Sequence, residues 1–427
     1  MPFSLNTMLD IKFIRENSDF VTQGAKKKGV TLDIDAILAL DARYREASTR
    51  TQQLQAERNT AAKERNIEDG KRIKEELYEL EGNAKKLKIQ LEEELLKVPN
   101  LPNPEVPEGG EDDFEIIKTV GSPKEFSFKA CDHLELGERL DIIDVVRAAK
   151  VSGTRFAYLK NEGVFLELAI VQFALEKLKK EGFSAVIPPV LIKSEITQGL
   201  GYWTPDNKTN YYLTKNVEEI EKGKESENSL YLVGTAEHAL VPMHADETLS
   251  GKALPKRYVG FSPAFRRESG SYGRDTRGIL RVHQFEKVEM VSFVKPEEDE
   301  AELGKLTALA EEFMNDLGLA YRVVRLASRD MSFPAAETRD IETWMPSQNK
   351  YRETHSISTT GQFQSRRLNI KYQDGNEKKY VSILNGTAFA IGRTIIAILE
   401  NYQNEDGSIT IPEVLRKYTG FDKISVK

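Results

Sequence analysis

Two runs of heptad-spaced residues near the N-terminus constrain the fold of this chain more than any other feature. Ile37, Leu40, Tyr44, Ala47, Thr51, Leu54, Arg58, Ala61 and Arg65 alternate steps of three and four. Ile73, Leu77, Leu80, Ala84, Leu87 and Leu91 repeat the pattern. Residues so spaced fall on one stripe of a helix, and two such stripes seal against each other. Asp69-Gly70 separates the runs, so the expectation is an antiparallel coiled-coil hairpin over residues 31–98, turning at that pair. Helices of this size span on the order of 40–50 Å, too long for a small domain to cover, so the hairpin should project into solvent. Its seam turns polar at Arg58 and Arg65, and Arg43, Arg45, Arg50, Lys63, Lys71, Arg72 and Lys74 surround it. Glu57, Glu64, Glu68 and Asp69 offset that charge only in part. Such a rod is either a charge-laced solvated coiled coil or a nucleic-acid feeler.

Before the hairpin, residues 8–30 read as a short helix with Leu9, Phe13, Ile14 and Phe20 as core positions. After it, Pro99, Pro102, Pro104, Pro107, Gly109 and Gly110 mark an extended linker over 99–113. The expected division is an N-terminal domain, 1–110, and a second domain, 114–427. The second mixes short β-like runs with helices such as Phe165 to Lys180 but lacks a βαβ rhythm. An α+β fold follows, an antiparallel sheet flanked by helices. No GxGxxG and no GxxxxGK[ST] is present, which removes the two commonest nucleotide-binding folds. No window approaches the ~18–20 uninterrupted apolar residues of a membrane helix. Met1 to Thr7 lacks the basic start and apolar stretch of a secretory signal. The single cysteine, Cys131, excludes an internal disulfide and a cysteine-based zinc site, so a cytoplasmic, reducing setting is expected. A net charge of −7 argues mildly against a protein whose whole surface binds nucleic acid, yet permits a local basic track.

Phe265 to Met290, FRRESGSYGRDTRGILRVHQFEKVEM, reads as strand, basic loop and returning strand. Ser269, Gly270, Ser271, Tyr272 and Gly273 suit an unusual backbone path, and Val282 to Val288 alternates with period two. Arg266 would offer a planar fork to a phosphate, Glu268 would accept from an amino group, and Phe285 would lie flat against a base. A solvated basic turn is the plain alternative. Three further segments stand beside it: Gly182 to Val190 (GFSAVIPPV), Gly234-Thr235-Ala236-Glu237 after a strand at Leu230 to Val233, and Leu384 to Arg393 (LNGTAFAIGR) entering a helix at Thr394 to Tyr402. Singly, these read as an edge strand, a helix cap and tight helix-to-sheet packing with Arg393 in a surface ion pair.

In this order the segments resemble the three signature motifs of the class II aminoacyl-tRNA synthetases, and most closely those of bacterial-type seryl-tRNA synthetases. GFSAVIPPV is similar to motif one, the Phe265 stretch to motif two and LNGTAFAIGRTIIAILENY to motif three. MLDIKFIREN, LQAERN and VPNLPNPEVPEG extend the likeness over nearly the whole chain. The resemblance implies a class II catalytic domain over 114–427 and a tRNA-binding arm before it. It implies that Arg266 meets the α-phosphate, Glu268 reads the adenine amino group, Phe285 stacks on the ring and Arg393 grips the γ-phosphate end. Arg267, Val282, Thr354 and His355 would complete the ATP site, with Glu353 and Ser356 as ATP and magnesium ligands. Thr235, Ala236, Glu237, Arg266, Glu289, Asn385 and Thr387 would hold L-serine. A homodimer is implied as well, with serine tRNA and selenocysteine tRNA as acceptors, and the basic residues of the arm, Arg43, Arg45, Arg50, Arg58, Lys63, Arg65, Lys71, Arg72 and Lys74, become the candidate tRNA contacts.

A serine carboxylate attacking the ATP α-phosphorus brings two like charges together, so guanidinium groups and a divalent ion are needed to compensate. Hard oxygen ligands suit magnesium rather than zinc. Two departures stand out. The family's usual E-[IV]-S-S-C-S-N is here Glu353-Thr354-His355-Ser356-Ile357-Ser358-Thr359, and Thr387 stands where many members have serine. Both read as tolerated variants. A relative that loads a carrier protein would lack the long arm, and an inactive paralogue would have lost Arg266, Glu268, Glu353 or Arg393.

Overall fold

The computed structural model describes residues 10–203, 208–215, 229–269 and 277–426. Leu9 and the loop residues Gly270 to Gly273 fall outside them. Contacts divide the chain into two units, Met1–Leu101 and Pro102–Lys427.

In the first unit two short helices, α1 (Ile11–Glu16) and α2 (Ser18–Lys27), stand in place of the single expected one. Asn17 interrupts them, its side chain donating back to the Phe13 carbonyl. Ile14 is fully buried, but Phe13 and Phe20 pair edge-to-face on the exposed side. The hairpin follows as α3 (Ile34–Lys63) and α4 (Ile67–Leu96), each 30 residues and so about 45 Å long. The turn comes earlier than Asp69-Gly70. Arg65 adopts a left-handed φ of 56°, and Asn66 caps α4 by accepting from the Asp69 amide. That cap places Glu68 and Asp69 in the first helical turn, where acidic side chains complement the exposed amides. Leu54, Ala61, Ile73 and Leu77 close the outer seam, and Ile37, Leu91 and Leu95 join Ile14 and Val21 at the base. Buried Asp41 ties α3 to α1 through Arg15 at 3.2 Å and also pairs within α3 with Arg45 at 2.9 Å.

The second unit is built on an eight-stranded sheet: β1 (Glu115–Val120), β2 (Ser184–Val186), β3 (Lys256–Phe265), β4 (Gln284–Val294), β5 (Tyr321–Arg325), β6 (Glu337–Met345), β7 (Lys350–Gly361) and β8 (Ser382–Ala390). Their order is β1-β5-β6-β7-β8-β4-β3-β2, antiparallel throughout except for the edge pair β2–β3. The expected antiparallel sheet with flanking helices is therefore what forms. Helices α6 (Glu162–Lys180), α7 (Asp299–Asp316) and α8 (Ile391–Asn401) share the main core with this sheet. There Phe173 meets Phe313 edge-on at 5.5 Å, and Phe313 meets Phe389 at 4.8 Å. A shorter helix, α5 (His133–Arg139), precedes α6. Strand alternation leaves the other side for function: Val288 and Met290 of β4 enter the core, while Phe285, Lys287 and Glu289 line a cavity. Residues expected in the linker belong partly to this unit, since Asn103 donates to the Ala336 carbonyl and Val106 packs on Met331 and Ala335.

Candidate active site

β3 and β4 pair in register from Lys256↔Phe293 to Phe265↔Gln284, so the two strands expected at the ends of the long stretch read from the sequence pair directly. Just past β3 the Arg266 amide donates to the His283 carbonyl at 3.0 Å, and the His283 ring Nδ1 lies 3.1 Å from the Arg266 carbonyl. Arg266 Nε donates to the Gly234 carbonyl at 3.1 Å, and its guanidinium lies 5.4 Å from the Phe285 ring centre. The following Glu268 holds a left-handed φ of 54°, a strained backbone for a non-glycine residue. Its carboxylate pairs with Arg281 at 3.3 Å.

The cavity, about 310 Å³, joins two ends. One is acidic and buried. The short helix Glu237–Leu240 is pressed against β3, where Gly260 makes room: a Cβ there would lie 2.8 Å from Leu240 and 2.9 Å from Ala236. Glu237 accepts from Tyr202 Oη at 3.1 Å and from Gln364 Nε2 at 2.8 Å. Burial pushes its carboxyl up to about 7. Glu289, also buried, lies 2.5 Å from the Lys287 ammonium, which in turn donates to Thr235 Oγ1 at 3.2 Å. Burial raises the Glu289 carboxyl, and Lys287 opposes the shift. His238 accepts from the Gly234 amide on Nδ1, and burial keeps its ring neutral. Asn385 and Thr387 of β8 complete this end.

The other end is basic. Arg393, in the first turn of α8, lies 2.8 Å from the Glu353 carboxylate and donates to the Glu353 carbonyl at 3.0 Å. Burial would raise the Glu353 carboxyl, but the Arg393 and Arg266 guanidiniums outweigh it and hold it below the usual range. Ser356 and Ser358 project from alternate positions of β7 into the cavity, and Thr354, at a register shift in the β6–β7 pairing, lines it while its hydroxyl donates to the Ile341 carbonyl at 3.1 Å. Behind Ser356, Asp340 is buried and pushed well above the carboxylate range by burial and the Glu353 charge. Among the described residues no group of three or more His, Cys, Asp or Glu side chains is placed to hold a metal ion. Glu353 and Ser356 fit a hard cation as a partial set, leaving its remaining positions to phosphate oxygens and water.

Thirteen of the residues singled out in sequence line this one cavity: Thr235, Glu237, Arg266, Glu268, Val282, Phe285, Glu289, Glu353, Thr354, Ser356, Asn385, Thr387 and Arg393. Three do not. Ala236 is buried beneath the short helix, Arg267 is exposed, and His355 points to the opposite face of β7, 5.8 Å from Phe389. Burial lowers the His355 ring to about 4, so it sits neutral in the core. Sequence reasoning missed Lys287, although it shares the strand face of Phe285 and Glu289. It also missed Tyr202 and Gln364, whose contacts to Glu237 cross long sequence separations and leave no local signal.

Two family models match the chain. The class II tRNA synthetase core domain (G, H, P, S and T) matches residues 213–402, and the seryl-tRNA synthetase N-terminal domain matches residues 8–102. The fold is thus that of a class II aminoacyl-tRNA synthetase. Serine–tRNA ligase of Thermobifida fusca is 42% identical over 97% of this chain and 98% of its own length. That of Symbiobacterium thermophilum is 40% identical over 98% and 100%. Among solved structures, seryl-tRNA synthetase from Pyrococcus horikoshii complexed with ATP superposes with a TM-score of 0.89 at 38% identity, covering 98% of this chain and all of that one. The cytoplasmic serine–tRNA ligase of Naegleria fowleri in complex with AMP gives 0.87 at 28% identity, covering 99% of this chain and 100% of its own. The chain belongs to the seryl-tRNA synthetase family.

Proposed function

We propose that the chain is a serine–tRNA ligase. It joins L-serine to ATP, forming seryl-adenylate and releasing diphosphate, and then passes the seryl group to the 3′-terminal ribose of serine tRNA. The observation that carries this reading is one cavity joining a buried acidic end, Glu237 and Glu289 with Lys287, to a basic end built from Arg266, Phe285 and Arg393. The relatives' names supply serine and tRNA, and ATP and AMP occupy two related structures.

The serine α-ammonium goes to the Glu237 carboxylate, and its hydroxyl donates to Glu289 with Thr387 beside it. Alanine has no hydroxyl to donate to that buried carboxylate, a defect worth up to ~10⁴–10⁵-fold in selectivity. Adenine stacks on Phe285, its amino group donating to Glu268. The serine carboxylate attacks the α-phosphorus in line as the bond to diphosphate breaks. Arg266 stabilises charge on the α-phosphate, and Arg393 takes the far phosphates. A magnesium ion on Glu353 and Ser356 would add positive charge beside the triphosphate, with Arg393 yielding its present carboxylate partner. Subunits pair as a homodimer through the motif-one region, where Phe165, Leu168 and Ile187 are exposed apolar residues. We place the enzyme in the cytoplasm, as the N. fowleri relative is described.

The test is magnesium-dependent ATP–pyrophosphate exchange across a panel of amino acids. Serine should lead, with alanine and glycine far behind. Stronger exchange with any other amino acid overturns the assignment.

A further inference from the structure

Behind the basic end of the cavity lies a buried histidine–carboxylate pair that the reaction does not touch. His133 opens α5, and its Nε2 faces the Ile279 amide at 3.2 Å. A backbone amide can only donate, so Nε2 must carry the lone pair and Nδ1 the hydrogen. Nδ1 faces Glu400 Oε1 at 3.4 Å, and the His133 amide donates to the same oxygen at 3.3 Å. Glu400, fully buried in the last turn of α8, accepts on its other oxygen from the Ser347 amide at 3.0 Å. Three N–H groups thus meet one carboxylate, and the carboxylate fixes the tautomer that receives Ile279.

Ile279, Leu280 and Val282 line the cavity where the chain returns toward β4. That limb is tightly held on both sides. Gly278 has a left-handed φ of 74°, and a Cβ on it would fall 2.0 Å from His133 Nε2. On the far side a Cβ on Gly392, the neighbour of Arg393, would lie 3.3 Å from the Ile279 carbonyl. We propose that His133 and Glu400 are positioning residues for the nucleotide end of the cavity, holding the returning limb at Ile279 against the first turn of α8. The proposal rests on reading that end as the ATP site.

The experiment compares the full-length wild type with His133→Leu, His133→Gln and Glu400→Gln by ATP–pyrophosphate exchange and thermal unfolding. His133→Leu strands the Ile279 amide. Glu400→Gln changes almost no volume, but an amide has a single acceptor oxygen, so one buried donor must face another. Each should raise the KM for ATP about tenfold, the scale of one broken buried hydrogen bond, while the KM for serine stays at the wild-type value. His133→Gln restores an acceptor for Ile279 and should recover most of the ATP affinity. An unchanged KM for ATP in Glu400→Gln overturns the proposal. So does a parallel loss in both substrates that follows melting temperature and that glutamine at position 133 does not relieve. If His133→Leu fails to fold, Glu400→Gln carries the comparison alone. Wild-type protein inactive with ATP and serine would instead sink the functional reading beneath it.

Discussion

Lys287 shows what a single side chain decides in this cavity. The Lys287 ammonium, buried between Thr235 and Glu289, opposes the burial that raises the Glu289 carboxyl. Lys287→Met keeps the length and removes the charge. It should lower kcat/KM for serine by at least about tenfold, since breaking a buried pair strands a charge, while leaving the KM for ATP nearly unchanged. An ATP defect of equal size would move Lys287 to the phosphate end. Glu237 predicts a pH effect. Its carboxyl titrates near 7 because burial raises it, so it is charged above that point and neutral below it. In the proposed binding mode the α-ammonium of serine needs the charged form. The KM for serine should therefore rise as pH falls through about 7, and that for ATP should not follow. A flat serine profile across neutral pH would argue that another group receives the ammonium. The motif residues were legible one by one because each sits in a contiguous signature. Gln364 and Tyr202 were not, because only the folded sheet brings them to Glu237. His355 is the reverse case. It lies inside a motif, yet strand alternation sends it to the core, which explains why a bulky change there coexists with an intact cavity.

At the level of elements, heptad spacing announced the hairpin and its length, but not the position of its turn. The spacing is blind to capping: Asn66 starts α4 ahead of Asp69-Gly70, and a left-handed Arg65 makes the bend. The shift changes how the basic residues are presented. Arg45, Arg50 and Arg72 are engaged with Asp41, Glu76 and Asp69, whereas Arg43, Arg58, Lys63, Arg65, Lys71 and Lys74 are exposed. The six are the stronger tRNA candidates. Changing Arg58 and Arg65 together to Ala should weaken tRNA binding and lower the log–log salt slope by roughly 0.7–0.9 for each phosphate left without its cation, with serine activation intact. An unaltered slope would return both to solvated charge. The seam itself is thin at its outer end. Leu54→Ala should cost about 2–5 kcal/mol of local stability there, read as faster amide exchange in the distal half of the hairpin alone.

For the molecule as a whole, the α+β class followed from irregular alternation of short strands and helices, but strand order could not, because pairing β4 with β8 joins segments about a hundred residues apart. Exposed Phe165, Leu168 and Ile187 make the second unit an expected dimer, since an isologous two-fold contact is the commonest way to cover such a surface. Sedimentation at micromolar protein should give twice the chain mass, and an active monomer would contradict it. The hairpin, finally, as the proposed tRNA arm, would act as a ruler. Its two helices share one seam, so lengthening each by a single heptad keeps every seam residue facing its partner and extends the rod by about 10 Å. An enzyme so altered would still make its adenylate, but it would measure its tRNA wrongly. Recovery of charging by a tRNA with a correspondingly longer variable arm would show that the distance, more than any one side chain, is what the rod reads.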